Sequence, residues 1–190
     1  MPPDIPGLNR PTLIDSLDVS NQNDLGSYAL MVGLTANYQA FTAPAGKQAA
    51  KLHSVKFSLG RMGTVAGTLV SKLYAATGAF PNVLPVGAAL ATSDPIDIAT
   101  ISAAATDTSG ILYALSFTGA NQFQLVAGTN YCIAIEIATG TFYNPNGVGV
   151  GAMIDWDLED NPTHYGNSGI KSGNWDVNPS GDLIFYLYAA

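Results

Sequence analysis

Apolar and polar residues alternate along much of this chain with a period of two, which is the period of a β-strand that buries one face. In the clearest run, Val55, Phe57 and Leu59 alternate with polar residues, and a second run with the same period follows within residues 51–78. Several glycines lie between the two runs and supply the backbone freedom that a turn requires. The pattern therefore predicts a β-hairpin within residues 51–78.

Further segments along the chain show strand-like patterns and are separated by glycine and proline. They lie at residues 27–33, 37–42, 88–92, 96–101, 111–117, 123–126, 130–137 and 182–190. The last of these is apolar on both faces, as expected of a central strand. No segment shows the 3.6-residue period of a helix. We therefore predict an all-β fold, an antiparallel β-sandwich with the jelly roll as the expected arrangement.

The first part of the chain differs from the rest, because four prolines fall within its first eleven residues. Prolines at this density oppose a regular helix or a central strand. We divide the chain into an extended N-terminal arm, residues 1–26, and a sandwich domain, residues 27–190. Two interpretations of the arm are open. In the first, the arm becomes ordered on a neighbouring subunit; in the second, the arm lies along its own sandwich.

Charged residues make up only 11% of the sequence, while hydrophobic residues make up 47%; about 25% charged residues is usual for soluble domains. Such a composition suits a β-protein that packs against copies of itself or against a large assembly. The net charge of −7 with seven basic residues argues against nucleic acid as a ligand, since phosphate binding needs clustered Lys and Arg. No apolar run is long enough for a membrane helix, so we expect no membrane insertion.

An acidic segment offers a candidate metal site. Asp155, Asp157, Glu159 and Asp160 place several carboxylates close together, and Ca²⁺ binds six to eight hard oxygen ligands. The spacing superficially resembles a calcium loop, although it lacks the glycine and the distal glutamate of an EF-hand. The alternative is a solvated acidic loop. Calcium is the one cofactor that the sequence suggests.

Aromatic and amide side chains concentrate in the final third of the chain. Trp156, Tyr165 and Trp175 lie there with Asn167 and Asn174 among the nearby residues. Sugar binding uses flat aromatic faces together with amide and carboxylate hydrogen bonds. The segment is therefore a candidate glycan-binding site. The alternative is that both tryptophans pack over the open ends of the sandwich.

The sequence offers no constellation for catalysis. It contains no Gly-x-Ser-x-Gly elbow, and its single cysteine and two distant histidines are too few for a structural zinc site. Cys132 lies among apolar residues of a predicted strand, so we expect a small buried core residue rather than a reactive thiol. We predict that the protein is not an enzyme.

Several segments carry a family resemblance, and they run in order from residue 41 to the C-terminus. They are FTAPAGKQ (41–48), KLHSVKFSLGRMGTVAGTLVSKLYAATG (51–78), ALATSDPIDI (89–98), LVAGTNYCIAIEI (125–137), NPTHYGNS (161–168) and DLIFYLY (182–188). This sequence resembles a β-sandwich module of phage structural proteins and bacterial surface proteins, similar to jelly-roll and carbohydrate-binding-like folds. The resemblance implies a component of a particle or a cell surface rather than an enzyme.

Together these observations lead to two expectations about function. The first is a virion structural protein that decorates a capsid or tail, or associates with a fibre, as a homo-oligomer bound to other virion proteins. The low content of charged residues supports this first expectation. Obligate interfaces are large and apolar, and a surface with few charges can provide one. The second is a carbohydrate-binding module for host recognition or adhesion, located outside the cell or on its surface and bound to a surface glycan.

Overall fold

The computed structural model describes nine parts of the chain: residues 11–17, 25–30, 35–45, 50–62, 65–103, 111–141, 151–157, 166–178 and 182–190. Residues 25–30 and 151–157 are described by their backbone. Within these parts the chain forms fourteen β-strands and two 3-10 turns, at Ile98–Thr100 and Gly119–Asn121. The same parts contain no helix with the length and hydropathy to cross a membrane.

The strands lie, in chain order, at β1 (Thr12–Leu17), β2 (Leu25–Leu30), β3 (Ala36–Thr42), β4 (Leu52–Met62), β5 (Ala66–Thr77), β6 (Leu84–Thr92), β7 (Ile96–Asp97), β8 (Ile111–Ser116), β9 (Asn130–Thr141), β10 (Gly151–Asp157), β11 (Ser168–Ser172), β12 (Asn174–Asn178), β13 (Asp182–Leu183) and β14 (Phe185–Ala189). They form two seven-stranded sheets. Sheet 1 has the order β1-β14-β4-β10-β13, with β2 beside β10 and β8 beside β4. Sheet 2 has the order β12-β11-β3-β9-β5-β6, with β7 beside β5.

The two sheets pack face to face, and every ladder between these strands is antiparallel. Their inner faces share one apolar core, to which sheet 1 contributes Phe57 and Leu187 and sheet 2 contributes Leu73 and Ile133. Burial of apolar area on both inner faces is what stabilises such a sandwich. The prediction of an all-β antiparallel sandwich is confirmed, while the more specific jelly-roll arrangement stays a prediction.

The hairpin predicted within residues 51–78 is wrong in its pairing. Both strands exist as β4 and β5, but β4 pairs with β8, β10 and β14, whereas β5 pairs with β6, β7 and β9. The chain crosses from one sheet to the other between them. A hairpin would place Val55, Phe57, Leu69 and Leu73 on one face of one sheet. Crossing instead places the apolar rows opposite each other, and all four side chains are buried in the shared core.

Two other strand predictions are confirmed. The C-terminal strand β14 lies between β1 and β4, as predicted for a central strand. Its Phe185 and Leu187 are buried in the shared core, and Tyr186 and Tyr188 on its other face are half-buried. Strand β9 lies between β3 and β5, and its Tyr131, Ile133 and Ile135 point into the shared core. Its alternate residues Cys132 and Ala134 point to the opposite face of sheet 2, where both are buried.

That opposite face carries a second, smaller core. Its buried members are Tyr38, Ala40, Tyr74, Val83, Cys132 and Ala134. Sheet 2 curls strongly, so that its end strands β12 and β6 come into contact, and this face is largely closed. Cys132 is buried as predicted, and burial raises the pKa of its thiol well above the ordinary value of 9.0.

Part of the predicted N-terminal arm forms a strand of the sandwich. Residues 12–17 form β1, which pairs with β14 at the edge of sheet 1, and Leu17 is buried in the shared core. This segment therefore lies along its own sandwich, the second of the two interpretations, and the sandwich begins before residue 27. Residues 1–10 and 18–24 of the arm lie outside the described residues.

Candidate functional site

Charged and aromatic side chains converge on the curled face of sheet 2, beside the second core. Strand β5 contributes Lys72 and Tyr74, β9 contributes Glu136, β11 contributes Lys171, and β12 contributes Trp175. The register places them on one face, because Lys72 lies opposite Ala134, Tyr74 opposite Cys132, and Trp175 opposite Lys171. We refer to Lys72, Tyr74, Glu136, Lys171 and Trp175 as the outer-face cluster.

Glu136 is the central acid of the cluster and is buried. One carboxylate oxygen lies 2.8 Å from the Lys72 ammonium, and the other accepts a hydrogen bond from the Tyr74 hydroxyl. Burial, reinforced by the hydrogen bond to Glu136 and its charge, raises the pKa of Tyr74. Tyr74 therefore remains a neutral donor across the physiological range. Because the Lys72 side chain is 29% exposed, solvent screens the ion pair and its net contribution to stability is small.

Trp175 covers the second core. Its ring makes edge-type contacts with Tyr38, at 5.4 Å between centroids, and with Tyr74, at 5.6 Å. The Lys171 ammonium lies 4.9 Å from the Trp175 centroid, a cation–π contact. The ring is half-buried. Trp175 thus packs over the second core, on the outer face of sheet 2, while part of its surface remains accessible.

The β11–β12 hairpin reaches this position because Gly169 has no side chain. A Cβ at residue 169 would lie 2.3 Å from Cε1 of Tyr38 and 2.2 Å from the carbonyl oxygen of Asp176. The Tyr38 ring therefore occupies the space directly above Gly169. Tyr38 is anchored in turn by donating its hydroxyl proton to the carbonyl of Val83, at 2.8 Å.

Asn167 is buried beneath the hairpin, with 2% of its surface exposed. Its Nδ2 donates to the Val83 carbonyl at 2.9 Å and to the Tyr38 hydroxyl at 3.3 Å, and its Oδ1 accepts from the Val83 amide at 3.0 Å. The amide ties β11 to the segment that precedes β6, so its position is that of a structural residue. Asn174, by contrast, is exposed at the start of β12.

The structure places two residues of the candidate calcium site in a strand rather than in a loop. Asp155 and Asp157 belong to β10, and Asp157 lies opposite Asp182 of β13. Glu159 and Asp160 lie outside the described residues. Where the structure describes side chains, no three His, Cys, Asp or Glu residues form a group that could hold a metal. The calcium site stays a prediction.

For the other two aromatic candidates, Trp156 and Tyr165, no side-chain position is described. Trp156 belongs to β10, opposite Leu183 of β13, in a strand that is described by its backbone. Tyr165 lies outside the described residues. Among the sequence candidates for glycan binding, the structure therefore brings Trp175 and Asn174 to the surface of one hairpin and places Asn167 beneath it.

One end of the interior between the sheets is polar. The Gln39 amide donates to the Asp182 carboxylate at 2.7 Å and accepts from the Leu183 backbone amide at 2.8 Å, which links β3 to β13. Asn37, also on β3, is buried, and its side-chain amide has no hydrogen-bond partner among the described residues. An unsatisfied buried amide costs about 1–3 kcal/mol.

Four of the polar residues described above were not identified from the sequence. They are Gln39, Lys72, Glu136 and Lys171.

The surface also carries exposed apolar side chains. They are Leu13 on β1, Val86 and Leu90 on β6, Ile111 and Leu112 on β8, and Val126 in the turn before β9. An apolar depression near Ile14 and Leu125 has a cavity volume of about 10 Å³, far below the roughly 300–1,000 Å³ of typical ligand pockets. The accessible chemistry of the described surface is therefore the outer-face cluster and these apolar strand edges.

Comparison with known proteins adds little to this description. No family model and no curated protein matches the chain. Among solved structures, it is similar to the cysteine protease and lectin-like domains of Cwp84, a surface-layer associated protein of Clostridium difficile. The TM-score is 0.46 at 15% sequence identity, over 87% of this chain and 36% of that chain. The chain thus spans about a third of that protein's length, and a likeness at this level carries no argument about function.

Proposed function

We propose that this protein is a non-enzymatic structural subunit that works by associating with copies of itself, as a virion decoration, tail or fibre-associated component would. One observation carries the proposal. Every large apolar side chain that is exposed in the described residues lies on an edge strand, β1, β6 or β8, or in the turn before β9. Apolar residues at the edges of a sandwich are suited to contacts between subunits.

The physical reason is that exposed strand edges are hazardous for a monomer. An unprotected edge offers unpaired backbone groups to any other strand, and monomeric proteins protect it with charges, prolines or bulges. With charged residues at 11% of the sequence, few charges are available for protection. Association of subunits would bury these edges and remove the hazard, and apolar interfaces are usual in permanent complexes.

The proposal is tested by the oligomeric state of the full chain. Sedimentation velocity over a hundredfold range of concentration should show a species heavier than the 19.7 kDa monomer, with a fraction that rises with concentration. A monomer across the whole range would contradict self-association.

A second candidate function, glycan binding, is favoured by the half-buried ring of Trp175 with the exposed Asn174 next to it in β12 and Lys171 against the ring. Aromatic rings flanked by amide and cationic groups are typical of sugar sites. The protein would then act outside the cell or at its surface.

Glycan-array binding of the wild type tests this candidate, followed by Asn174→Ala and Lys171→Ala. Both side chains can be truncated without opening the second core. Each variant should weaken binding while the unfolding temperature stays unchanged. Leu13→Ala on β1 of sheet 1, where Leu13 is exposed, is a control away from the hairpin and should bind normally. An array without signal for the wild type would count against glycan binding.

A further inference from the structure

Strand β8 is an exposed edge of sheet 1. It pairs along its whole length with β4, from Ile111 opposite Leu59 to Ser116 opposite Ser54, without a register shift. No second strand pairs with β8 within the residues that the structure describes. Ile111 is 51% exposed and Leu112 is 38% exposed. Because consecutive residues of a strand point to opposite faces, the exposed apolar surface covers both sides of this edge.

The other edge strands with described side chains carry protective features that β8 lacks. Strand β1 has Asp15 and a register shift, β6 has Pro85 and a register shift, and β12 has Asp176. Charges, prolines and irregularities of this kind prevent edge-to-edge pairing. The β8 sequence, ILYALS, contains no charge, proline or glycine. The strand itself is regular and uncharged, but the Ser116 carbonyl at its end already accepts from the Asp94 backbone amide at 2.8 Å. The edge is therefore open to pairing from Ile111 to Leu115.

We propose that β8 of one molecule pairs antiparallel with β8 of a second copy about a two-fold axis, which joins two copies of sheet 1 into one continuous sheet. This inference rests on the proposed self-association and names the strand that carries it. In such a symmetric contact each strand meets its own sequence. Ile111 and Leu112 of both copies would become buried, and the free backbone groups would gain partners.

The charges around β8 favour a second copy as the occupant. Arg61 lies on β4 two residues beyond Leu59, at the Ile111 end of β8. Asp94 lies at the other end, where its backbone amide donates to the carbonyl of Ser116 at 2.8 Å. Within one molecule the Arg61 Nε donates to the Ile101 carbonyl at 3.0 Å, and the Asp94 carboxylate accepts from the Thr118 hydroxyl at 3.1 Å. Antiparallel pairing brings the Asp94 end of one copy to the Arg61 end of the other, so each end of the contact combines one acidic and one basic residue.

Among the residues that the structure describes, one more charged side chain lies beside β8, and it does not oppose this contact. Lys56 lies opposite Ala114 on the adjacent strand β4. Its ammonium is 5.3 Å from the ring centroid of Tyr188 on β14, which lies on the other side of β4 from β8. The charge is therefore directed away from the free edge. The contact can form without opposing two like charges, despite a net charge of −7 on each molecule.

The first test compares the self-association of the wild type with that of Leu112→Lys by sedimentation velocity. Lysine at this edge places like charges in the contact, which destabilises strand pairing. We expect the dimer dissociation constant to rise at least tenfold. The matched control is Val126→Lys, since Val126 is 59% exposed but lies in a turn, and it should associate as the wild type does. Circular dichroism and thermal unfolding verify that both variants fold.

The possible results separate the interface from the proposed function. An oligomer that Leu112→Lys leaves intact would overturn pairing through β8, while self-association itself would stand. A monomeric wild type would overturn both. Capture of β8 by another protein's strand, with no dimer of this chain, would also overturn self-pairing.

Disulfide cross-linking provides a second test that tolerates a modest loss of stability. A two-fold axis perpendicular to a continuous sheet places one residue opposite its own copy, at about the 4.5–5.5 Å between Cα atoms that a disulfide can span. Cysteine is therefore introduced singly at residues 112, 113 and 114, with Val126→Cys as the control. The native Cys132 is buried and should not react. At least one of the three variants should form covalent dimers tenfold faster than the control. Equal rates in all four variants would overturn the proposal.

Discussion

The substitution Asn167→Ala tests whether the β11–β12 hairpin is held by a buried polar link. Asn167 makes two hydrogen bonds to the backbone of Val83, one to its amide at 3.0 Å and one to its carbonyl at 2.9 Å. Alanine leaves the buried Val83 amide without an acceptor, which costs about 1–3 kcal/mol, and the lost hydrogen bonding adds about 1 kcal/mol. The Val83 carbonyl keeps a donor, because the Tyr38 hydroxyl also bonds to it.

The expected total is a loss of about 2–4 kcal/mol in the free energy of unfolding, or roughly 4–16 °C in the unfolding temperature for a chain of this size. Urea unfolding followed by tryptophan fluorescence and circular dichroism measures it. Asn174→Ala, a truncation of the same side chain at an exposed position of the same hairpin, should lie within about 0.5 kcal/mol of the wild type. If Asn167→Ala is equally stable, the link to Val83 does not hold the hairpin and our reasoning is refuted.

Three other predictions follow from buried contacts. Gly169→Ala places a Cβ 2.3 Å from the Tyr38 ring, so thermal unfolding should show a loss of about 1–3 kcal/mol or more; unchanged stability would mean that the ring does not lie over residue 169. Gln39→Ala removes a donor from the buried Asp182 carboxylate and should lower the urea-derived free energy by about 2–4 kcal/mol. A loss below about 0.5 kcal/mol would contradict that link. Cys132, whose thiol pKa is raised by burial, should resist iodoacetamide in the folded protein at about pH 8.5 and react within minutes in urea. Rapid labelling of the folded protein, seen by mass spectrometry, would show that the second core is open.

The sequence was sufficient to predict most of the strands, but it gave no prediction of β1, β10, β11 or β12. In β9, the pattern of residues 130–137 predicted a strand, and its alternate residues Tyr131, Ile133 and Ile135 form the face in the shared core. The alternation of apolar and polar residues in a strand reflects which of its faces is buried. This pattern can be seen in the strand's own sequence, without knowledge of its partners. Apolar character on both faces likewise identified β14 as a central strand.

Strand partners could not be obtained in the same way. The patterns of β4 and β5 require each to bury one face, and both a hairpin and a crossing between sheets meet that requirement locally. Packing decides between the two arrangements. Only the crossing buries Val55 of sheet 1 against sheet 2 and Leu73 of sheet 2 against sheet 1. Proximity in sequence favoured the hairpin, and it was the wrong guide in this case.

The outer-face cluster was missed because its members lie on four different strands. A signal was nevertheless present. Lys72 and Glu136 are each a single charged residue in the middle of an otherwise uncharged strand. Buried charges are usually paired, so two such residues on neighbouring strands predict each other. The curl of sheet 2, which brings Trp175 to this cluster, depends on contacts between its two ends and leaves no local pattern in the sequence.

The β8 contact and the candidate glycan site would lie on different sheets of the sandwich, which makes them separable by experiment. Over its central strands, sheet 2 is buried by the shared core on one face and by the second core on the other. On this sheet a glycan would bind at the rim around Trp175, while Val86 and Leu90 are exposed on β6. The open edge of β8 belongs to sheet 1. Because the two surfaces share no strand, Leu112→Lys should alter association without altering glycan binding, and Lys171→Ala should do the reverse. A variant that changed both properties would indicate one shared surface, which this fold does not provide.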